Sequence, residues 1–480
     1  MGVFVFFCTY ETEWNIRNGG RFMKNYNENA IYELNAPVPL KKAFPIGMQH
    51  VLTMFVNNIT PILVIGALCN LTAGEKSVIL QNAMFIAGIF TLIQCYKVWR
   101  FGANLPIVMG TSAGFIATLT AASAYGYKAV LGACFIGGLF EVLEGFFVKP
   151  LKKFFPPVVT GTVIMAIGLS LMPTGVKWLA GGAGTENYGS WQNLLVGFTV
   201  LMVVILTKQF TKGFTSIISI LIGLIVGIVM AGCFGMLDFS GVGEAAWIGL
   251  PHFMPYSFEF HKGAIIPLLI MFIVTAVETI GDASAIAMGG LKREATDAEL
   301  SGAVLADGLG SAVAALFGVL PNTSMSQNVG LVCMTKVVNR FCCACGAVFL
   351  IACGFCPKLG AVLSALPNCV LGGATVLPFS MIVISGMQMV FKEKMSGRNG
   401  VIVALALGLG TGLSSSGALA ETPELVQLIF SQSGIVAAFI IATVLNLVLP
   451  KDEEKTETVS QTKEEKHMEK KKVVAAHGVS

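Results

Sequence analysis

Residues 321–340 read Pro-Asn-Thr-Ser-Met-Ser-Gln-Asn-Val-Gly-Leu-Val-Cys-Met-Thr-Lys-Val-Val-Asn-Arg and lie deep in a very hydrophobic chain. The first half of this stretch is polar, and Pro321 and Gly330 interrupt it. A lipid-facing span cannot look like this, because each unpaired backbone group in hydrocarbon costs several kcal/mol. Such a segment is stable where protein surrounds it or where it lines a wet cavity. In transporters, a broken helix of this kind has its free end at the substrate.

The composition of the chain sets its class. Of its 480 residues, 55% are hydrophobic and only 12% are charged, and the mean hydropathy is +0.76. A soluble protein carries about a quarter charged residues. The sequence therefore predicts a polytopic membrane protein surrounded by lipid. It has no basic patch interleaved with aromatic residues, so nucleic acid is not an expected partner.

Fourteen apolar segments follow one another along the chain and predict an all-α bundle. Two of them, near 105–126 and 320–335, are irregular. The complete set lies near 44–69, 78–96, 105–126, 129–148, 156–173, 191–207, 214–235, 264–290, 299–318, 320–335, 341–356, 360–390, 400–417 and 433–449. These segments are numbered below as spans 1 to 14.

The two ends of the chain carry separate predictions. Gly19-Gly20-Arg21-Phe22 stands before Met23 as a translated ribosome-binding site would. We therefore expect the natural start at Met23, with residues 1–22 upstream of it and the remainder of 1–43 as a cytoplasmic segment. The tail at 450–480 is charged and poor in aromatic residues, and it is expected to be disordered.

The Lys and Arg residues test the span count through the positive-inside rule. With the N-terminus placed in the cytoplasm, loops on the same side hold fourteen of these residues and loops on the opposite side hold five. The N-terminal segment holds five more and the tail seven, which accounts for all 31. The sequence thus predicts fourteen spans with both termini cytoplasmic.

The spacing of the breaks indicates two inverted seven-span repeats. A Leu-Pro pair precedes the break in span 3 at 105–106 and the break in span 10 at 320–321. Pro156-Pro157 opens span 5, and Pro367 falls within span 12, the equivalent position. Inverted repeats with paired discontinuous helices place a substrate site near the midplane, between the two breaks.

Carboxylates inside the spans are the candidates for chemistry, because an ionisable group at mid-membrane costs roughly 2.5–3.5 kcal/mol on insertion scales. Glu278 and Asp282 are four residues apart and share one face of span 8. Two carboxylates so close in a low dielectric cannot both ionise cheaply, which suits proton binding. Asp307 in span 9 is equally consistent with a structural bond between helices and with a functional role.

Two other polar pairs have a structural interpretation first. Glu141 and Glu144 in span 4 precede three lysines at 149–153, so we interpret them as side chains that snorkel to the cytoplasmic surface. His50 stands beside Gln49 near the start of span 1. A buried neutral imidazole that bridges two helices is the favoured interpretation, and a direct role in proton movement is the alternative.

The break in span 10 carries amides. Gln327 and Asn328 offer donors and acceptors there, and Gly330 lets the backbone approach a ligand closely. Unused amides would be unfavourable in the membrane. We therefore interpret these residues as ligand-binding rather than as structural hydrogen-bonding groups.

These residues resemble the nucleobase–ascorbate transporter family, the nucleobase–cation symporters of the xanthine and uracil permease type. The signature of that family is Gln or Glu, then Asn-x-Gly, four arbitrary residues, Thr, and usually a basic residue or Gly. Residues 327–336 match it in full, from Gln327 to Thr335 and Lys336. Gln49-His50, the acidic motif at 278–282 and Asp307 also match, and the resemblance covers roughly 40–450.

The resemblance implies a fold of fourteen spans in two inverted repeats, commonly in a homodimer. Spans 1–4 at 44–148 and spans 8–11 at 264–356 would form a core domain. Spans 5–7 at 149–235 and spans 12–14 at 357–449 would form a gate domain. Short strands in spans 3 and 10 would meet at the site, with the N-termini of half-helices pointing at the substrate.

The resemblance also implies roles for individual residues. Glu278 and Gln327 would hydrogen-bond a planar base, and Gln at the first signature position goes with xanthine or uric acid where Glu goes with uracil. An amide both donates and accepts, which complements a purine-dione edge. Members often carry an aromatic residue after the Gly-Thr-Ser of span 3, where this chain has Ala113, with Phe115 two residues on.

The sequence thus predicts a proton-coupled importer of xanthine or uric acid in the cell membrane, without a cofactor. A carrier of uracil, guanine or hypoxanthine, an anion exchanger of the same architecture, and sodium in place of the proton stay open. An intramembrane enzyme that uses Glu278 and Asp282 as a catalytic or metal pair is the rival of another class. It would need further ligands, and no His or Cys stands at ligand spacing. The twelve cysteines lie mostly in apolar runs as small hydrophobic residues.

Overall fold

The computed structural model describes residues 28–148, 156–182, 185–211, 214–217, 219–237, 242–243, 245–391, 393, 395–423, 426–427, 430 and 434–450. The expected start at Met23 lies outside these ranges. So do the lysines at 149–153 and the charged tail beyond residue 450.

Helices dominate the described part of the chain, and each predicted apolar segment has a helical counterpart. In chain order the helices are α1 (Leu40–Leu68), α2 (Ala73–Cys95), α3 (Ile116–Ala122), α4 (Tyr127–Phe146), α5 (Pro157–Leu179), α6 (Trp191–Phe210), α7 (Phe214–Ile217), α8 (Ser219–Cys233), α9 (Lys262–Leu291), α10 (Asp297–Leu316), α11 (Ser326–Thr335), α12 (Arg340–Cys353), α13 (Pro357–Ser364), α14 (Asn368–Val390), α15 (Gly397–Ser416) and α16 (Gly434–Val448). Two three-residue strands, β1 (Met109–Thr111) and β2 (Asn322–Ser324), interrupt the two irregular segments.

The long apolar helices make this a multi-pass membrane protein. Within the described ranges, nine helices are long and apolar enough to cross a membrane, and counting the bent pair α12–α13 as one span gives up to ten. Three further apolar helical stretches are shorter, at Ala113–Tyr125, Ser219–Cys233 and Gly434–Val448. The count of fourteen spans therefore stays a prediction.

The region around span 12 differs from the sequence prediction. The segment 360–390 was expected to be continuous, but α13 ends at Ser364 and α14 begins only at Asn368. Pro367 is the N-cap of α14, because proline has no N–H to donate and disfavours helical geometry in the residue before it. The preceding pair, α12 and α13, is bent by 86°.

The helices pack in two sets. In the first set, α4 lies along α10 and against α9, while α12 lies along α2 and against α1. In the second set, α5 packs along α14, α6 against α8, and α15 against α16. The helices of each set touch one another far more than they touch the other set.

Glycines allow the closest of these crossings. A Cβ atom added to Gly138 of α4 would lie 2.5 Å from the backbone nitrogen of Ala312 in α10. A Cβ atom on Gly47 of α1 would lie 2.5 Å from the nitrogen of Gly346 in α12. Membrane helices associate through such close backbone packing, because lipid gives them no hydrophobic driving force to associate.

Candidate functional site

The two irregular segments meet in the interior of the first set of helices. β1 and β2 pair antiparallel, with Met109 opposite Ser324 and Thr111 opposite Asn322. Backbone hydrogen bonds continue past both ends of the ladder. The N–H of Met325 donates to the Val108 oxygen at 2.9 Å, and the N–H of Ser112 donates to the Pro321 oxygen at 3.0 Å. The breaks in spans 3 and 10 thus lie side by side.

Polar side chains from neighbouring helices satisfy the outer edges of this ladder. Thr91 Oγ1 of α2 accepts the N–H of Met109 at 2.9 Å, and Asn58 Oδ1 of α1 accepts the N–H of Thr111 at 2.7 Å. Ser311 Oγ of α10 accepts the first N–H of β2 at 3.1 Å. Buried backbone groups need such partners where water is absent. The sequence analysis assigns no role to Asn58, although a polar residue in an apolar span is itself a signal of a functional or structural contact.

The half-helix α11 begins beside the carboxylates of α9. Ser326, its first residue, donates to Glu278 Oε1 at 2.8 Å and lies 3.0 Å from Asp282 Oδ2. Ser324 Oγ at the end of β2 donates to the same Asp282 oxygen at 2.7 Å. All four side chains are buried. The positive end of the α11 dipole favours negative charge at this place.

The same hydrogen-bond chain extends to α10. Thr279 Oγ1 of α9 lies 3.1 Å from Ser324 Oγ and donates to Asp307 Oδ2 at 2.5 Å. Asp307 is fully buried. An unbroken chain of hydroxyl and carboxyl groups therefore runs from Glu278 to Asp307. The sequence alone indicates the carboxylates of this chain but gives no role to the hydroxyl groups of Thr279, Ser324 and Ser326. The position of Ser326 directly before the signature is a signal that could have found it.

The signature amides have different surroundings. Gln327 is half-buried, and its Nε2 lies 3.4 Å from Met325 Sδ, a weak acceptor. Asn328 is buried and donates from Nδ2 to the backbone oxygen of His50 at 2.8 Å. A Cβ atom on Gly330 would meet no other atom within 4 Å. Gln327 is thus the amide that a ligand can reach, and Asn328 ties α11 to α1.

His50 is a buried residue of α1, and its Nδ1 lies 3.3 Å from Asn328 Nδ2. It therefore stands between two helices, which is the arrangement that its structural interpretation requires. A part in proton movement stays a prediction. The neighbouring Gln49 is half-buried, and its backbone oxygen accepts from Thr53 Oγ1 at 2.7 Å.

The span 3 half of the site consists of small and apolar groups. Ser112 Oγ accepts the N–H of Gly114 at 3.2 Å and so caps the short helical stretch Ala113–Tyr125. Ala113 is buried, and the fully buried Phe115 ring packs on Phe272 of α9 with ring centroids 4.8 Å apart. A contact of Ala113 or Phe115 with a substrate stays a prediction.

The end of the signature anchors α11 to α9. Lys336 has φ of 61°, a left-handed conformation, and its Nζ donates to the Gly289 oxygen at 2.8 Å. Thr335 Oγ1 accepts the N–H of Val337 at 3.3 Å. A left-handed residue suits Gly best, and a basic side chain adds the bond to α9. This geometry explains why both residue types fit the last signature position.

The structure corrects the interpretation of Glu141. Its side chain has 0% exposure and faces Thr275 of α9, at 3.4 Å from Thr275 Oγ1 to Glu141 Oε1. Glu144, one turn closer to the end of α4, is 8% exposed. The prediction that both snorkel to the surface was wrong, because both side chains are buried and the Glu141 carboxyl faces α9 and α10 instead of the end of the helix.

The arrangement as a whole suits binding of a polar planar molecule and of protons. Glu278 accepts hydrogen bonds, and the Gln327 amide both donates and accepts. Across the ranges that the structure covers, no group of three or more His, Cys, Asp or Glu side chains is placed to hold a metal ion. The buried carboxyl and hydroxyl groups offer places for protons between helices.

The fold is shared with solved transporter structures. The transmembrane domain of a cyanobacterium bicarbonate transporter, BicA, aligns with a TM-score of 0.55 at 14% identity. The alignment covers 88% of this chain and 98% of that chain. At this identity the likeness shows the fold alone.

Sequence comparison identifies the family. The chain is 36% identical over 406 residues to the uric acid permease PucK of Bacillus subtilis (strain 168), covering 84% of this chain and 94% of that protein. It is 31% identical over 436 residues to the xanthine permease XanQ of Escherichia coli (strain K12), covering 88% and 94%. The model of the Permease family, Xan_ur_permease, matches residues 41–418. The chain therefore belongs to this family of permeases, as its resemblance to the nucleobase–ascorbate transporters implied.

Proposed function

We propose that this protein imports a purine base, xanthine or uric acid, by proton symport with alternating access. One observation carries the proposal. Ser326, at the start of the half-helix α11, binds both Glu278 and Asp282 and stands directly before the accessible amide of Gln327. Proton-binding groups and a base-recognising amide are thus adjacent, so that binding of a proton can affect binding of the base, and the reverse.

Recognition of the base uses Glu278 and Gln327. The carboxylate of Glu278 accepts from a ring N–H, and the amide of Gln327 donates to a ring carbonyl and accepts from a neighbouring N–H. The open space at Gly330 admits the ring close to the backbone of α11. The relatives PucK and XanQ are a uric acid permease and a xanthine permease. We therefore assign a purine-dione to this chain.

Proton coupling uses the pair Glu278 and Asp282. One Ser326 hydroxyl lies within hydrogen-bonding distance of both carboxyl groups, so the two compete for a single donor. A proton on one of them removes the repulsion between the pair and lets Glu278 bind the base. Release of that proton on the cytoplasmic side drives release of the base, which ties entry to the proton gradient.

The two packing sets support alternating access. The first set corresponds to a core domain, and the second corresponds to a gate domain of spans 5–7 and 12–14 in two inverted repeats. Gly281 of α9 supports this division, because a Cβ atom there would lie 3.2 Å from Thr160 Cγ2 of α5 and 3.5 Å from Met389 Cε of α14. The carboxylate pair thus faces the boundary along which the core moves against the gate.

We place the protein in the cell membrane with both termini in the cytoplasm, as the distribution of Lys and Arg indicates. Helices α6 and α15 are the least buried of the long apolar helices among the described residues. Their outer faces are available to lipid and to a second copy of the chain in a homodimer.

An anion exchanger of the same architecture is the alternative that the fold neighbour raises. Such a site needs positive charge, yet the sequence has no Lys or Arg between Lys262 and Lys292 or between Arg293 and Lys336. The helices that form the site carry carboxylates instead. A permease for a hydrogen-bonding base fits these residues better than an anion exchanger does.

Uptake of labelled xanthine into membrane vesicles tests the proposal. We expect competition by unlabelled xanthine and uric acid but not by uracil, a rise in uptake as external pH falls, and collapse with a protonophore at constant sodium. Uptake that follows a sodium gradient and ignores the protonophore would overturn the proton assignment. Efficient competition by uracil would overturn the purine assignment, and chemically altered base inside the vesicles would indicate an enzyme.

A further inference from the structure

Glu141 is a buried acidic residue that the proposed transport cycle does not use. It lies in the last third of α4, with 0% exposure. Its carboxyl group faces Thr275 of α9 and lies within hydrogen-bonding reach of the Asp307 carboxyl on α10. Three helices of the first packing set thus converge on this group.

The helix crossing fixes this proximity. A Cβ atom added to Gly308 of α10 would lie 2.5 Å from the backbone nitrogen of Val142 and 2.8 Å from the backbone carbon of Glu141. The backbones therefore touch within one residue of both carboxyl groups. Side chains at such a crossing cannot separate unless the helices do, so Glu141 and Asp307 are held together.

One oxygen of each carboxyl group lacks a donor, while a threonine hydroxyl donates to the other oxygen. Among the described residues, Glu141 Oε2 and Asp307 Oδ1 are buried and have no hydrogen-bond partner. The other acidic groups near them are Glu144 on α4 and the pair Glu278 and Asp282 on α9. No Lys or Arg occurs at 129–146, 263–291 or 297–316, so these stretches bring no cation to neutralise the charges. Two adjacent buried acceptors without a donor are satisfied by one proton between them.

We propose that Glu141 and Asp307 share a proton and form a second proton-binding site, linked to the substrate site through Thr279 and Ser324. This inference rests on the proposed function and adds a site to it. The ligand is a proton, held as a carboxylic acid on one residue that donates to the carboxylate of the other.

Each proton transfer along the link to the substrate site conserves protons and charge. A proton on Asp282 passes to Ser324 Oγ, the Ser324 proton passes to Thr279 Oγ1, and the Thr279 proton passes to Asp307. Each hydroxyl accepts one proton and gives one, so both end as neutral alcohols. Asp282 is left as a carboxylate, and the Glu141–Asp307 pair gains one proton.

The way out of this second site is toward the end of α4. Glu144 lies one turn beyond Glu141 and is 8% exposed, and its Oε2 is another buried acceptor with no partner within the described ranges. A proton on Glu141 therefore has an acidic neighbour on the side of the helix end. A proton that leaves Asp282 is therefore held at the second site before it reaches water.

Glu141→Gln is the first test, because it keeps the size and hydrogen-bonding capacity of the side chain and removes its titration. We expect exchange of labelled for unlabelled xanthine across the membrane to persist, while uphill accumulation falls to equal concentrations inside and outside and loses its pH dependence. Glu186→Gln, at an exposed position, is the matched control and should behave as the parent protein. Parent-like accumulation and pH profile in Glu141→Gln would overturn the second site.

Infrared spectroscopy of the purified protein gives a readout that does not depend on transport. We expect a carboxylic-acid C=O band at neutral pH that shifts in D2O, and we expect Glu141→Gln and Asp307→Asn each to reduce it. A band unchanged in both variants would overturn the proposal even if uptake were lost through misfolding. A parent protein that shows this band but no proton-driven purine uptake would instead overturn the proposed function and leave the shared proton standing.

Discussion

The two broken segments of the molecule have the same backbone design and different chemistry. Each consists of a Leu-Pro pair, a three-residue strand and a short helix, and the strands pair with each other. In the span 10 half, Ser326 and Asn328 bind groups on α9 and α1. In the span 3 half, Ser112 caps its own helix and Phe115 packs on Phe272.

This difference separates architecture from chemistry. As two inverted copies of one unit, which the sequence predicts, the segments would give the site its shape and direct two helix N-termini to one place. Only the span 10 copy carries side chains that reach the carboxylates of α9. Substitutions in the span 10 half should therefore change transport, whereas equivalent substitutions in the span 3 half should change mainly stability.

The largest effect is expected on the α9 side of this contact. Glu278→Gln should abolish uphill xanthine uptake at every pH, because the amide cannot take up or release a proton and places an NH2 donor where the carboxylate has a second acceptor oxygen. Uptake into energised vesicles measures this. Glu294→Gln, an exposed glutamate just beyond α9, is the control. Full accumulation by Glu278→Gln would remove that residue from the mechanism.

Ser326→Ala tests the span 10 half directly. It removes the hydroxyl shared by Glu278 and Asp282, and hydrogen bonds to charged groups contribute about 1.5–3 kcal/mol, so uptake should fall by about 10- to 100-fold. The pH profile should shift as well, because the two carboxylates lose their common donor. Initial rates of xanthine uptake across external pH provide the measurement. An unchanged rate and profile would show that the contact does not matter for transport.

Gln327→Glu tests base recognition in the same half. The exchange replaces an amide donor with a group that only accepts when ionised, so xanthine affinity should fall by about tenfold, the loss of one hydrogen bond. Uracil should compete better than it does in the parent protein. Competition curves for xanthine and uracil, with surface expression as a control, measure both effects. Xanthine kinetics identical to the parent would mean that Gln327 does not touch the base.

Ser112→Ala is the counterpart of Ser326→Ala in the span 3 half, and its effect should be the smallest. Loss of the cap on Gly114 should destabilise the protein by about 1 kcal/mol, and it should leave the pH profile of uptake unchanged. Thermal unfolding of the purified protein, with uptake in parallel, tests this. A shifted pH profile would contradict the division between the halves, since it would give Ser112 a part in proton coupling.

Much of this site could be predicted because its signals are local. Pro321 and the polar residues that follow it mark a break in any apolar span, and Glu278 and Asp282 share a helix face by spacing alone. The interruption expected at Gly330 was wrong, because Gly330 lies inside α11. Span 12 was harder to predict, because a Pro inside an apolar run can either kink a helix or begin a new one, and the chain context decides.

The hydroxyl chain and the position of Glu141 could not be predicted from the sequence, for a different reason. Thr279, Ser324 and Asp307 come from three elements, and their contact depends on how α9, α10 and β2 cross. For Glu141, a nearby group of lysines suggested the membrane surface, while the burial depends on the glycine crossing between α4 and α10. Such contacts follow from tertiary packing and not from sequence spacing.

The partners of β1 have a consequence for biogenesis. β1 enters the membrane long before β2 exists, because α4 to α10 are translated between the two strands. Its outward N–H groups, however, bind Thr91 and Asn58, which belong to helices already synthesised. The nascent chain can therefore hold an unpaired strand with two of its three N–H donors satisfied. The site is complete only after span 10 has been synthesised, because β2 and α11 are the last of its elements in the chain.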